Sequence, residues 1–154
     1  MKVVALIDTN VWVSALINPH GFPAKVREAW LKGQYTIVAS SPLIKELRVV
    51  LSRPRLRQRL GISESRADEL IALVMERARI VNTEGRLKLC RDPRDDMVLE
   101  TAIIGRATHI VSRDEDLTRD KDLVRELETR GIQIVTVNNF LLEMAADKDS
   151  EERE

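Results

Sequence analysis

The run Val3-Val4-Ala5-Leu6-Ile7, stopped at once by Asp8, narrows what this chain can become more than any other feature. A continuous, partly β-branched apolar run of this length has the pattern of a strand buried on both faces of a parallel sheet. A carboxylate at the end of such a strand is partly desolvated and needs a partner. The run is too short for a signal-peptide core or a membrane span, so the chain reads as soluble and cytoplasmic.

Downstream, helical and extended patterns alternate. Pro23 to Lys32 has helical spacing, with Val26, Ala29 and Trp30 at i, i+3 and i+4 and Gly33 suited to the stop. Tyr35 to Ala39 reads as the next strand. Ser40-Ser41-Pro42 offers a cap followed by proline in the first turn, opening a helix through Leu51. Pro54 and a charged stretch interrupt before a helix predicted from Ser63 to Ala78, with Arg79 to Asn82 as a minor strand. Asp92-Pro93 is a second cap-plus-proline signal, for a helix to about Arg106. His109 to Ser112 reads as a strand, Lys121 to Arg130 as a helix ended by Gly131, and Ile132 to Val135 as the last strand. Asn138-Asn139 open a short final helix to about Ala146. Strands alternating with helices give a parallel α/β sheet. At 154 residues, 44% hydrophobic and 32% charged, the composition is globular and fits one domain, residues 1–146, with a charged tail at 147–154 expected to fray.

Sites in open parallel sheets form outside the carboxyl ends of the strands. Acids recur at those points. Asp8 follows the first strand and Glu46 lies one turn into the helix after the second. Asp92, Asp95 and Asp96 open another helix, and Asp114 and Asp116 follow the strand His109 to Ser112. Taken singly, each has an ordinary explanation. Asp92 is a good N-cap, Asp95 and Asp96 suit the helix dipole, Glu46 fits a solvated helix face, and Asp114 or Asp116 fits a turn. Jointly, seven acids from four segments open on one edge, where they repel unless protonated or bridged by cations. Cys90 is the only cysteine and His20 and His109 the only histidines, which excludes an internal disulfide and a cysteine- or histidine-dominated metal centre. Carboxylate oxygens alone suit Mg²⁺ or Mn²⁺.

Four segments carry a family resemblance: Val4-Ala5-Leu6-Ile7-Asp8-Thr9-Asn10-Val11-Trp12, Ser41-Pro42-Leu43-Ile44-Lys45-Glu46-Leu47, Asp92-Pro93-Arg94-Asp95-Asp96-Met97-Val98-Leu99-Glu100, and His109-Ile110-Val111-Ser112-Arg113-Asp114-Glu115-Asp116-Leu117. In this order and spacing the chain, from Met1 to about Leu142, resembles a PIN domain, in the branch of toxin components related to the VapC ribonucleases. The resemblance implies a three-layer α/β/α fold around a mainly parallel sheet of about four to five strands. It also implies Mg²⁺- or Mn²⁺-dependent endoribonuclease chemistry on RNA, an antitoxin partner, and a type II toxin–antitoxin role. Asp8, Glu46 and Asp114 match the first, second and fourth family acids. For the third, Asp95 shares an inward stripe with Val98, Leu99 and Ala102, whereas Asp96 faces Leu99, Glu100 and Ile103. Asp95 is chosen, with Asp96, Asp92 and Asp116 as supporting or alternative ligands. Ser112 departs from the threonine more usual before the last acid but keeps a hydroxyl that can orient Asp114 or a water. Asn10 is expected to hold Asp8 or a phosphate, while Thr9 either supports the site or only caps the turn.

Lys+Arg and Asp+Glu are both 25, so no global basic field draws in nucleic acid and local arginines must do so. Arg53, Arg55, Arg57 and Arg59 form one alternating run. They read either as RNA-backbone contacts with salt-dependent affinity or as a solvated helix edge. Aromatic content of 3% leaves few stacking platforms for bases. Trp12, Trp30 and Leu70 to Val74 lie on apolar helix faces, as core or as contacts in a homodimer or higher oligomer. Two other readings differ in class. A haloacid-dehalogenase-like phosphohydrolase also starts with a strand ending in Asp, but wants a second Asp where this chain has Asn10. The other is a PIN scaffold that binds metal, RNA or protein without cutting.

Overall fold

The computed structural model describes residues 2–153. Strand β1 (Val4–Ile7) lies at the centre of a five-stranded sheet, paired in parallel with β2 (Thr36–Ser40) on one side and β4 (His109–Val111) on the other. β3 (Arg79–Val81) and β5 (Gln133–Val135) complete the two edges, also parallel, in the order β3-β2-β1-β4-β5. The chain therefore winds outward one way from β1 through β3, then returns and winds the other way. That reversal opens a crevice between the carboxyl ends of β1 and β4, and Asp8 and Ser112 are the next residues after those ends.

Side chains alternate across the strands and fill two separate apolar layers. Ala5 and Ile7 of β1, with Ile37, Ala39, Val111 and Val135, face one layer. Helices α1 (Thr9–Ile17), α2 (Phe22–Leu31), α3 (Ser41–Leu51), α4 (Glu64–Arg77) and α8 (Val137–Arg153) supply its other wall. Leu6, Val38 and Ile110 face the second layer, closed by α5 (Pro93–Ile104) and α7 (Lys121–Thr129), with Leu117 of the short α6 (Glu115–Thr118). The result is the three-layer α/β/α architecture. Gly105, the C-cap of α5, lies so close to β2 that a Cβ there would meet the Thr101 carbonyl at 2.9 Å and Val38 Cβ at 3.1 Å. Gly131, at φ 76°, makes the left-handed turn that stops α7.

The predicted elements recur within a residue or two of their expected ends. Four features differ. The segment directly after Asp8, for which the sequence suggests only an apolar helix face at Trp12, forms the nine-residue α1. The charged stretch after Pro54 winds into a single π-helical turn, Arg55–Arg59, with Leu56 buried under it. A four-residue helix, α6, separates β4 from α7. α8 continues to Arg153, past the expected end near Ala146; after Gly131 the chain has no glycine or proline to break it. Trp12 and Trp30 meet edge to face, 5.6 Å between ring centres, inside the larger layer. Leu70, Ile71 and Val74 are buried there too, so none of these side chains forms a free face for a second copy.

Candidate functional site

The carboxyl edge of the sheet gathers the N-terminal ends of α1, α3, α5 and α6. Each helix start carries partial positive charge that favours an anion nearby. Asp8 is the N-cap of α1, is 1% exposed, and is the most heavily bonded acid there. Its Oδ1 accepts from Thr9 N at 2.8 Å and from Arg94 Nη2 at 2.7 Å. Its Oδ2 accepts from Ser112 Oγ at 2.8 Å and from Asn10 Nδ2 at 3.3 Å. Four donors thus replace the water lost on burial.

The residues around Asp8 tie the neighbouring segments together. Ser112 Oγ accepts the Asp114 N–H at 3.0 Å while donating to Asp8, so one hydroxyl sets both acids. Asn10 Oδ1 accepts the Arg113 N–H at 3.1 Å, which pins the loop after β4 to α1. Thr9 does more than begin a helix: its Oγ1 donates to Glu46 Oε2 at 2.8 Å.

Arg94 is the residue that sequence reasoning missed. Its guanidinium bonds Asp8 Oδ1, Glu46 Oε1 through Nε, and Asp95 Oδ1 at 3.4 Å. Burial works against its charge, but Asp8 and Glu46 outweigh that and hold its pKa above the ordinary arginine value. One signal was legible: Arg94 is the second residue of α5, in a helical first turn where a cation is unfavourable without a tertiary partner. Among the described residues, no group of three His, Cys, Asp or Glu side chains is drawn in tightly enough to ligate one ion directly. The guanidinium instead takes the central cationic position.

Asp95 and Asp96 are nearly equally buried, at 7% and 9%, so the inward stripe does not separate them. Their partners do. Asp96 Oδ1 accepts the N–H groups of Leu89 at 2.8 Å and Cys90 at 2.7 Å, holding the loop before α5. One turn later, Glu100 accepts those of Gly85 at 3.0 Å and Arg86 at 3.1 Å, another role the sequence did not announce. Asp95 faces the other acids. Burial first, then the charges of Asp114 and Asp92, push its carboxyl up to about 6, against the pull of Arg94. Burial and then Asp96 push the Cys90 thiol up to about 12.

The remaining candidates lie outside this group. Asp92 is an exposed N-cap bonding Arg94 N at 2.9 Å, and Asp116 is exposed, its N–H given to Asp114 Oδ1 at 2.9 Å. Asp92, Asp95 and Asp116 line one acidic cleft. Arg53, Arg55 and Arg59 are exposed beyond the C-terminal end of α3, away from the helix start that carries Glu46. Arg57 Nε donates to the Leu51 carbonyl at 2.8 Å, closing that end of α3. His109 packs against Phe140 and bonds Glu143, apart from the acids.

The donor atoms are of the kind a hard divalent cation takes, although among the described residues Arg94, not a ligand cluster, now holds them together. Three carboxylates from three chain segments already converge on one positive group, and all their ligating atoms are oxygens. The uncharacterized protein MJ1680 of Methanocaldococcus jannaschii is 29% identical over 145 residues, covering 93% of this chain and 92% of that protein. A chain in the crystal structure of VapBC2 from Rickettsia felis bound to a DNA fragment from their promoter superposes with a TM-score of 0.54. It is 16% identical, with 87% of this chain and 98% of that one covered, which speaks to the fold alone. No helix of the described residues is long and apolar enough to cross a membrane. The PIN-domain match spans residues 4–116, from the first residue of β1 to the last of the edge acids, and this chain belongs to the PIN-domain family.

Proposed function

We propose that this protein is a Mg²⁺- or Mn²⁺-dependent endoribonuclease that hydrolyses RNA phosphodiester bonds, acting as the toxin of a type II toxin–antitoxin pair. The observation that carries the reading is the convergence of Asp8, Glu46 and Asp95 on one cationic group at the crevice of a parallel sheet. Likeness in fold to a chain of the VapBC2 complex supports an antitoxin as the protein partner. Asp8, Glu46, Asp95 and Asp114 are the proposed ligands. Asp96 is the weaker choice for the third position because its Oδ1 already accepts two backbone donors. Asp116 and Asp92 serve the rim.

The chemistry that Mg²⁺ or Mn²⁺ supplies when bound there is Lewis acidity toward a phosphoryl oxygen and an attacking water. The chain's own part is positioning. Ser112 and Asn10 fix the Asp8 carboxylate, Thr9 fixes Glu46, and Ser112 also fixes the backbone from which Asp114 projects. Arg94 keeps the acids together in the absence of an ion. Once its carboxylates are taken, its donors are free for a phosphate oxygen, which a guanidinium binds in a fork geometry.

One observation favours a second reading: Arg94 engages three of the acids at once, as in a PIN scaffold that binds RNA or protein without cutting. The dehalogenase reading has no such support, since the position for its second acid holds Asn10, bonded to Asp8. A mixed RNA pool incubated with Mn²⁺ tests the proposal. Wild type is expected to cut, and Asp8→Asn to lose at least a hundredfold in rate, the order seen when one electrostatic element of an active site is removed. Equal cleavage by both proteins sinks the assignment of Asp8, and no cleavage by wild type or Arg94→Ala favours the binding scaffold.

A further inference from the structure

The two sides of the acid group carry opposite charge. On one side lies the cleft lined by Asp92, Asp95, Asp116, Asp120, Asp122 and Glu126, with Arg91 its one cation among the described residues. A polyanion is repelled there. On the other side, a cleft of about 740 Å³ runs from Ser112, the residue that holds Asp8, to the start of α2. It carries Arg113, Arg119 and Glu115; Glu115 pairs with Arg119 at 3.3 Å, so the surplus positive charge is that of Arg113, next to Ser112. Since the chain as a whole is neutral, this polarity is local.

The cationic cleft also holds an exposed ring. Trp12, Trp30, Tyr35 and Phe140 are buried, whereas Phe22, the first residue of α2, is 55% exposed and forms part of the cleft wall. No other Phe, Tyr or Trp side chain among the described residues is exposed, and the exposed imidazole of His20 lies two residues before Phe22. Lys25, one turn along α2, sets its ammonium over one face of the Phe22 ring, 5.0 Å from its centre, so a base stacks on the opposite face. Asn18 and Asn138 line the same wall; Asn18 Oδ1 already accepts the His20 N–H at 3.1 Å and leaves its Nδ2 to donate, while Asn138 is exposed. An exposed ring is a platform for an unstacked base, nearby cations hold the phosphate that follows it, and amides read a base edge. The volume falls in the range of small-molecule sites and admits a nucleotide.

From this juxtaposition we infer that the cleft between Phe22 and Ser112 is a nucleotide subsite for single-stranded RNA. It stacks one unpaired base on Phe22 and leads the adjoining phosphate past Arg113 toward the acids. The inference rests on the ribonuclease reading and names how that site takes its substrate. It also gives the strand a direction of approach, from α2 and away from the six-acid cleft. A duplex cannot use it, because its bases are stacked on one another.

The test is binding of fluorescein-labelled octauridylate and octaadenylate, measured by anisotropy in EDTA so that metal-dependent cleavage is stopped. Phe22→Ala should weaken both strands roughly tenfold, the scale of losing one base–aromatic stack. Phe22→Trp should restore them, and a duplex octamer should not respond to either change. Arg113→Gln should weaken binding with a shallower salt dependence. Single-strand affinity unchanged in Phe22→Ala, or a wild type that binds no octamer at low salt, overturns the subsite. Sedimentation of the same proteins covers the other occupant: a wild-type oligomer that Phe22→Ala dissociates makes this face a protein interface and also overturns it. Binding through Phe22 by a protein that fails to cut with Mn²⁺ leaves the subsite standing and removes the nuclease reading. Cleavage by a protein whose affinity ignores Phe22 does the reverse.

Discussion

Arg94 Nη2 donates to Asp8 Oδ1 at 2.7 Å, joining the first turn of α5 to the residue that ends β1, 86 positions earlier. The same guanidinium reaches Glu46 and Asp95, so one side chain offsets the mutual repulsion of three acids. Under the proposed function, a divalent ion and Arg94 compete for the same carboxylates.

Replacing Arg94 separates the two cations. In EDTA, Arg94→Ala leaves a buried Asp8 without its main counter-charge and should lose about 3 kcal/mol of stability, as when one partner of a buried ion pair is removed. In excess Mg²⁺ the deficit should shrink, because the ion then does what the arginine did. Urea unfolding with and without Mg²⁺ measures both values, and half-saturation should occur at lower Mg²⁺ in the variant. An equal deficit in both conditions would mean that the ion does not bind among these acids.

The division of labour on α5 gives a second expectation. Asp96 holds the Leu89 and Cys90 N–H groups, and Glu100 holds those of Gly85 and Arg86. Asp96→Ala should speed amide hydrogen exchange at 89 and 90, and Glu100→Ala at 85 and 86. Each should lose about 1–3 kcal/mol through donors left unpaired. Exchange unchanged at those amides in Asp96→Ala would return Asp96 to the contest for the third acid.

What the sequence disclosed here was whatever is decided locally. The run ending at Asp8 specified a buried central strand by composition alone, and Ser40-Ser41-Pro42 and Asp92-Pro93 marked the starts of α3 and α5 by capping chemistry. Glu46 and Asp114 were placed at the edge by the order of strands and helices. The choice between Asp95 and Asp96 was not local, since both are buried and only the loop from 82 to 92 decides which carboxylate it occupies. Arg94 was hidden for the same reason, because its partners lie 86 and 48 residues away. The alternating arginines from 53 to 59 read alike in sequence, but the π-helical turn leaves Arg53, Arg55 and Arg59 exposed while Arg57 Nε donates to the Leu51 carbonyl.

Asp95 supplies a pH dependence whose sign follows from its surroundings. Its pKa is raised from 3.8 to about 6 by burial and by Asp114 and Asp92. Between those values the folded protein holds a proton that the unfolded chain has released. The stability Asp95 contributes is therefore fully present below about pH 4 and is lost as pH rises through about 6 in the metal-free protein. Asp95→Asn should flatten that decline, seen as a smaller fall in the urea midpoint between acid and neutral buffer in EDTA. Divalent-ion binding must displace the same proton, so below pH 6 the apparent Mg²⁺ affinity of the wild type should rise about tenfold per pH unit. Thermal shift against Mg²⁺ concentration at several pH values reads this directly. A Mg²⁺ affinity that is flat across this interval, or that keeps its slope in Asp95→Asn, would remove Asp95 from the metal set.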